Sequence, residues 1–344
     1  MVRSPVPKQP NCSFQSAHFH HLIILAGSKK ENTQNLISVR NRVLSDVAWF
    51  NADRVRKPQN FKKKSGKTSA ATNPEACDFC KWSSLTASDT FGRIEGKYAV
   101  SASNLFKYVA PMQGLVLFKH HEPLEFTYDQ LSDLLDVAHR WFTQSYNICK
   151  IEYPEVDRDA LHPLLVWNAL GRAGASQYHG HAQVMLSSVP FPDEEKMRSV
   201  LQKYDGAYFD DLVDAHECIG LVRQDESALM FASVCPLKDC EILVQGSSLG
   251  SKEFHRMIYI ALRALIDELG SCSFNIGIVE IKKRHNTSQP MDGPIFARIV
   301  SRDKKGSKSM ASDFGGLELF TGASIGHTDP WHVVQAIDAV MSAQ

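Results

Sequence analysis

Asn168-Ala169-Leu170-Gly171-Arg172-Ala173-Gly174-Ala175-Ser176-Gln177-Tyr178-His179-Gly180-His181-Ala182-Gln183 holds the densest chemistry in the chain. It follows the apolar run Leu164–Trp167, which reads as a short buried strand. The stretch from Gly171 to Ser176 is small and flexible, so backbone N–H groups there can approach an anion closely. If the segment after it is extended, His179, His181 and Gln183 point the same way. A neutral imidazole is a nucleophile at neutral pH without prior activation. Its attack on an α-phosphorus gives a phosphoramidate, from which a second acceptor takes the nucleotide. Gln183 supplies an amide that donates to a phosphate oxygen or a leaving group without changing charge. Two histidines beside a glycine can also be no more than a polar loop. The glycine-rich lead-in, Ser176 and Gln183 together favour chemistry.

Working outward, Lys97–Ala102 and Gly114–Phe118 read as strands. Thr127 and Gln130 fit a capping box that opens a helix over 127–147. Leu131, Leu134, Leu135, Ala138, Trp141 and Phe142 then recur at helical spacing. Gln183–Ser187 is the next strand. The second half repeats the plan: strands at Ala228–Ala232 and Glu241–Gln245, a helix from Lys252 to Leu269, then strands at Phe274–Val279 and Phe296–Val300. Phe254, Met257, Ile258, Ala261, Leu262 and Leu265 share one helix face, and Gly270 is the expected stop. The expected fold is therefore α+β, two related units each of antiparallel sheet plus one long helix. The boundary is expected near 195, around Pro190–Pro192, giving an N-terminal catalytic domain 1–195 and a C-terminal domain 196–344. Residues 1–45 are hard to place. The segment 57–74 carries Lys57, Lys62, Lys63, Lys64 and Lys67 among small polar residues and reads as a flexible loop.

Thirty-eight basic residues balance 38 acidic ones, so the charge gives no reason to expect nucleic acid or an anionic membrane as a partner. No run of about 18 apolar residues occurs, and no secretory signature opens the chain. Eight cysteines in 344 residues form no regular framework and read as the reduced thiols of a cytoplasmic protein. Cys77 and Cys80 are the exception. Their two-residue gap outside a thioredoxin-like context favours zinc over redox chemistry, and zinc wants four ligands.

The run 168–183 resembles the histidine-triad superfamily, and within it the galactose-1-phosphate uridylyltransferase-like branch. That branch carries an Asn eleven residues before a His-x-His-x-Gln, with Gly and Ser between; Asn168, Gly174, Ser176, His179, His181 and Gln183 keep that spacing. The resemblance implies His181 as the nucleophile that carries the nucleotidyl group. It implies Ser176 and Gln183 as phosphate contacts, Asn168 as an orienting residue, and Gly174 and Ala175 in the nucleotide-binding loop. Gln at 183, where hydrolase branches usually have His, favours a transferase or phosphorylase.

The same branch implies a structural zinc held by Cys77, Cys80, His121 and His179, with His121 at the end of a strand like the family's Lys-x-His. His120 is the runner-up. Arg54-Val55-Arg56-Lys57-Pro58 resembles the family's Arg-x-x-Arg-Pro, which would put Arg54 and Lys57 near the phosphates; a solvated basic linker is the competing reading. Phe274-Asn275-Ile276-Gly277 resembles the second-half strand and Gly316-Leu317-Glu318 the late Gly-x-Glu motif. The Gln-Arg-Asp that follows in uridylyltransferases is absent, and Ser324-Ile325-Gly326 stands there, which argues against galactose 1-phosphate as substrate. His18, His20 and His21 read as surface residues. The implied function is a nucleotidyltransferase acting on a nucleotide or nucleotide sugar with a phosphate or sugar-phosphate acceptor. A homodimer is compatible with that reading. The alternatives are a diadenosine polyphosphate phosphorylase or hydrolase, or a nucleotide-binding protein without turnover.

Overall fold

The computed structural model describes residues 73–104, 109, 111–157, 161–188, 191–204, 207–280, 290–291, 294–304 and 323–343, and the backbone alone of 12–25, 28–41 and 47–51. Alternating apolar residues in the predicted strands bury one or both faces, and they assemble into one nine-stranded sheet. Its strands are β4 (Ala99–Ser103), β5 (Pro111–Phe118), β6 (His162–Ala169), β7 (His181–Ser187), β8 (Val222–Asp225), β9 (Ala228–Ala232), β10 (Ile242–Gly246), β11 (Ser271–Glu280) and β12 (Ile295–Lys304). The order is β4-β5-β7-β6-β11-β12-β10-β9-β8, and every pairing is antiparallel. A second sheet joins β1 (Cys12–Leu25), β2 (Ser28–Asn41) and β3 (Val47–Asn51) to the parallel strand β13 (Ser324–Gly326). The backbone of β1 and β2 thus accounts for most of the stretch 1–45, while the side chains of His18, His20 and His21 lie outside the described residues.

The main sheet repeats one plan twice. A hairpin, a long helix and two further strands run as β4, β5, α2 (Tyr128–Glu152), β6, β7 and again as β9, β10, α5 (Lys252–Arg263), β11, β12. In each set the last strand inserts between the hairpin and the strand before it. The two sets meet where β6 pairs β11, with Asn168 directly opposite Asn275.

Both long helices start as the sequence requires. The Thr127 hydroxyl accepts from the Gln130 N–H and the Gln130 side chain accepts from the Thr127 N–H. Ser251 caps α5 through Phe254 N–H. Helix α2 runs to Glu152, five residues beyond the expected 147. Helix α5 loosens into a π turn over Ala264–Glu268, which keeps Ala264 and Leu265 buried, and Gly270 leaves it at φ +67°. These helices, with α6 (Pro330–Ser342), close the core on one sheet face.

The opposite face is covered at its two ends. Phe79 and Trp82, the latter on α1 (Trp82–Leu85), pack on Val100, Ala102 and Leu117 of β4 and β5. At the other end α3 (Pro192–Lys203) and α4 (Tyr208–Glu217) lay Leu201, Tyr208 and Phe209 on Phe231, Leu243 and Phe296. Between the two covers, half-exposed Gln183, Val166, Asn168, Asn275 and Gly277 floor a groove on this face. A side-chain carbon added at Gly277 meets nothing within 4 Å, so the floor is open above that strand glycine.

The helix pair α2–α5 is locked by a buried histidine. His255 Nε2 donates to the Leu249 carbonyl at 2.6 Å, so Nδ1 accepts from the Ser132 hydroxyl at 2.9 Å. Lys252 donates to the same hydroxyl at 3.0 Å and pairs with Asp136. Burial pushes the His255 pKa down to about 4, against the opposing pull of the Leu249 carbonyl and Asp136. An unfolded histidine takes a proton near pH 6.5. The folded state therefore refuses a proton that the unfolded state accepts between those values, and stability falls as pH drops through that window. The melting temperature of the wild type is expected to fall from pH 7 to pH 5, and His255→Gln should shrink that fall. An unchanged pH difference in the variant would contradict the lock.

Candidate active site and metal centre

The Cys-x-x-Cys turn is built locally. The Asn73 side chain accepts from Glu75 N–H at 3.0 Å and caps a 3₁₀ turn over Pro74–Ala76 that delivers Cys77. Phe79 and Trp82 anchor the turn on β4 and β5, so the sulfurs sit beside the corner that follows Phe118. His121 lies in that corner, and His179 lies just before β7. Cys77, Cys80, His121 and His179 each bring one donor atom to a single point, all within 4.8 Å of one another. Cys80 Sγ is 3.3 Å from His121 Nδ1 and 3.5 Å from His179 Nδ1, and Cys77 Sγ is 3.6 Å from His179 Nδ1. A tetrahedral ion with ordinary sulfur and nitrogen bond lengths gives a sulfur–nitrogen edge of about 3.6 Å, so the four fit a metal ion. His120 instead lies against the Phe118 ring at 4.7 Å. Its neighbour His121 is the one that faces the sulfurs.

The protonation pattern fits the same conclusion. His179 Nε2 donates to the Phe118 carbonyl at 2.7 Å, which leaves Nδ1 as a lone pair aimed at the sulfurs. Burial pushes His179 down to about 4, so this ring is neutral at pH 7. Burial, and then the neighbouring Cys77, push the Cys80 thiol up to about 11. A cation among these atoms is what would let a thiol so placed ionise.

His181 opens β7, two residues beyond His179. Its Nδ1 donates to the His179 carbonyl at 2.8 Å, so its lone pair is on Nε2. Burial lowers its pKa, which keeps the ring neutral and nucleophilic. Phe79 sets its ring edge-on to His181 at 5.2 Å and to His179 at 5.8 Å. The chain between the histidines must be glycine: a β-carbon on Gly180 would lie 2.8 Å from the Phe118 ring and 3.2 Å from Pro123 Cα. The Gly180 carbonyl accepts from Phe118 N–H at 3.1 Å. Strand alternation puts His181 and Gln183 on one side, while His179 stands outside the strand and turns to the sulfurs. The Gln183 amide oxygen accepts from Gln113 at 3.2 Å and from Asn104 at 3.5 Å.

The glycine-rich loop turns back on itself. Leu170 takes φ +70°, Gly171–Ala173 form a 3₁₀ turn and Gly174 ends it at φ +90°. The N–H groups of Ala173 and Ala175 donate to the Leu170 carbonyl and that of Gly174 to Gly171. Those three donors are engaged inside the turn, so Gly174 and Ala175 offer an anion close approach rather than N–H groups. Ser176 is exposed beside them. The Tyr178 hydroxyl donates to Glu122 at 2.8 Å, tying the loop to the metal corner; burial and then Glu122 push that phenol up to about 12. Asn168 accepts from Asn275 at 2.7 Å. Arg54, Lys57 and Gly316–Glu318 lie outside the described residues, and of 57–74 only Asn73 and Pro74 are described. Phe79, Asn104, Gln113 and Asn275 join the site without having been expected there. An aromatic residue between two metal cysteines is a signal for the first; nothing local marks the others.

No protein-family profile matches the chain, and no curated protein matches it in sequence. Solved structures do match in shape. An ADP-glucose phosphorylase from Arabidopsis thaliana, solved with bound ADP-glucose, superposes with a TM-score of 0.64 at 16% identity, over 88% of this chain and 98% of that one. A GalT-like protein from Arabidopsis thaliana gives 0.58 at 17% identity, over 84% and 94%. A uridylyltransferase gives 0.55 at 14% identity, over 88% and 98%. The chain has the fold these proteins share, the histidine-triad-like arrangement that the motif implies.

The candidate metal centre has a direct consequence. Purified protein is expected to carry about one divalent ion per chain. Cys77→Ser should take metal content well below that and lower the melting temperature by several degrees. Cys218→Ser, at an exposed thiol outside the cluster, should change neither. Metal analysis with thermal melts reads both, and full retention of metal and stability in Cys77→Ser would contradict the centre.

Proposed function

We propose that this protein transfers a nucleotidyl group from a nucleotide sugar to a phosphate or sugar-phosphate acceptor through His181. The observation that carries the reading is the tautomer: Nδ1–H is held by the His179 carbonyl, so a neutral ring presents Nε2 beside Gln183. Support also comes from the shared fold and from the ADP-glucose bound in the similar phosphorylase.

In the first displacement Nε2 attacks the α-phosphorus. The P–N bond forms as the bond to the sugar-phosphate oxygen breaks, and no proton leaves the ring. The positive charge that develops strengthens the Nδ1–H bond to the His179 carbonyl. In the second displacement an acceptor oxygen forms its bond to the phosphorus as the P–N bond breaks, and His181 is neutral again. Gln183, Ser176 and Asn168 steady the phosphoryl oxygens, and Gln113 and Asn104 hold the Gln183 amide by its oxygen. Gly174 and Ala175 let the phosphates lie close, and Arg54 and Lys57 are assigned to their charge. Catalysis is assigned to the first repeat, within 1–195, and 196–344 is assigned as its partner repeat, although α3 spans that boundary and β13 pairs back to β3.

Cys77, Cys80, His121 and His179 would hold a zinc ion, which their two-sulfur, two-nitrogen donor set suits. With four protein ligands such an ion would be structural, holding in place His179, whose carbonyl orients His181. A cytoplasmic setting suits free thiols at all the described cysteines. No helix among the described residues is long and apolar enough to cross a membrane.

A panel of nucleotide sugars, each offered inorganic phosphate or a hexose phosphate, tests the reading. Wild type is expected to exchange at least one pair, and His181→Asn should stay folded yet lose at least about a thousandfold in rate. Near-wild-type turnover by His181→Asn would sink the mechanism.

A further inference from the structure

Asn275 belongs to the second half of the chain, yet among the described residues its side chain bonds to Asn168 and Ala173 of the first half and to one arginine. Arg302 Nη1 donates to Asn275 Oδ1 at 2.7 Å. Asn275 Nδ2 donates to Asn168 Oδ1 at 2.7 Å and to the Ala173 carbonyl at 2.8 Å. The orientation of both amides is forced by chemistry. A guanidinium only donates, so Asn275 must turn its oxygen to Arg302. A backbone carbonyl only accepts, so Asn275 must turn its nitrogen to Ala173. The same nitrogen then faces Asn168, which must answer with its oxygen. Asn168 is left with its NH₂ end as a donor.

The position of that donor follows from register. β6 pairs β7 with Val166 opposite Gln183. Continuing two residues along both strands brings Asn168 level with His181, on the same groove face. A second tie crosses the seam close by, Arg172 Nε to Asp303 at 3.1 Å.

We infer that Asn275 and Arg302 are positioning residues, which fix the Asn168 amide so that it offers N–H rather than C=O to the phosphoryl group on His181. This rests on the reading of His181 as the nucleotidyl carrier. The second half thereby sets the polarity of a first-half phosphate contact through two hydrogen bonds. If Asn168 were turned over, its carbonyl oxygen would face phosphate oxygens and repel them.

Asn275→Asp separates this role from packing. The carboxylate has the shape of the amide and gives Arg302 a stronger partner, but it can only accept, so Asn168 must turn its NH₂ inward. Asn275→Ala removes the constraint without reversing it. Transfer is expected to fall about tenfold in Asn275→Ala and at least about a hundredfold in Asn275→Asp, the scale of a lost oxyanion donor. A packing role gives the opposite order, with the isosteric Asp milder; that order, or equality, would overturn the inference. Side-chain amide NMR supplies a readout that needs no activity. In Asn275→Asp the Asn168 NH₂ protons should become protected from exchange, and in Asn275→Ala they should not. A loop merely pushed away from the new carboxylate would leave them unprotected, which would also overturn the inference. Failure of the wild type to transfer any nucleotide would count against the His181 reading, while the amide signals would still decide the orientation of Asn168.

Discussion

The ring of His179 divides its two nitrogens between two jobs, and the site depends on that division. Nε2–H is held by the Phe118 carbonyl at the end of β5, and Nδ1 faces the Cys77 and Cys80 sulfurs. The carbonyl of the same residue holds Nδ1–H of His181. One residue thus joins a strand end, a metal turn and the first residue of the next strand. A histidine buried this deeply, with its pKa near 4, cannot serve as a cation. It is suited to serve as a neutral ligand, and it acts as a spacer between β5 and His181. Phe79, set between the two cysteines in sequence, packs against both histidine rings, so the turn that would bind the metal also walls His181.

The second constraint is the seam between the repeats. Without each other, β6 and β11 would be edge strands with unpaired backbone groups. Pairing them makes one sheet and sets Asn168 against Asn275. The candidate chemistry stands on β7, one strand from that seam, on a face that the helices α2 and α5 leave uncovered. Metal turn and α3–α4 close the two ends of that face, which leaves the groove between them. His181 therefore sits on rigid sheet, with the irregular loop 170–178 beside it.

Much of this was legible in the residues. Thr127 and Gln130 announced the start of α2, and the apolar positions of α2 and α5 buried as their spacing required. Cys77, Cys80, His121 and His179 come together although they span about a hundred residues; the resemblance carried that relation, and local pattern did not. The resemblance to a Lys-x-His strand end chose His121 and kept His120 as runner-up, since adjacent residues in a corner are separated only by which way the corner turns; His121 is the one that joins the cluster. Helices α3 and α4 went unforeseen. Helix α3 lacks a side-chain cap, but Pro192 at its start and Asp193, Glu194 and Glu195 in its first turn are helix-start signals that went unread, and its apolar residues matter only once a sheet face lies beneath them. The inward N–H groups of Gly174 and Ala175 follow from the positive φ of Leu170, which no glycine count discloses. Asn275 was visible as part of a strand, but its first-half partners lie about a hundred residues away in sequence, beyond any local signal.

The central claim is that Nε2 of His181 carries the nucleotide. It is tested most directly by mixing the protein with a labelled nucleotide sugar in the absence of acceptor, quenching at alkaline pH, and mapping the modified peptide and ring nitrogen. The account predicts one labelled phosphoramidate, on Nε2 of His181, that is discharged when phosphate or a sugar phosphate is added before the quench. Label on another residue or on Nδ1, or turnover of the same nucleotide sugar with no label at all, would contradict it.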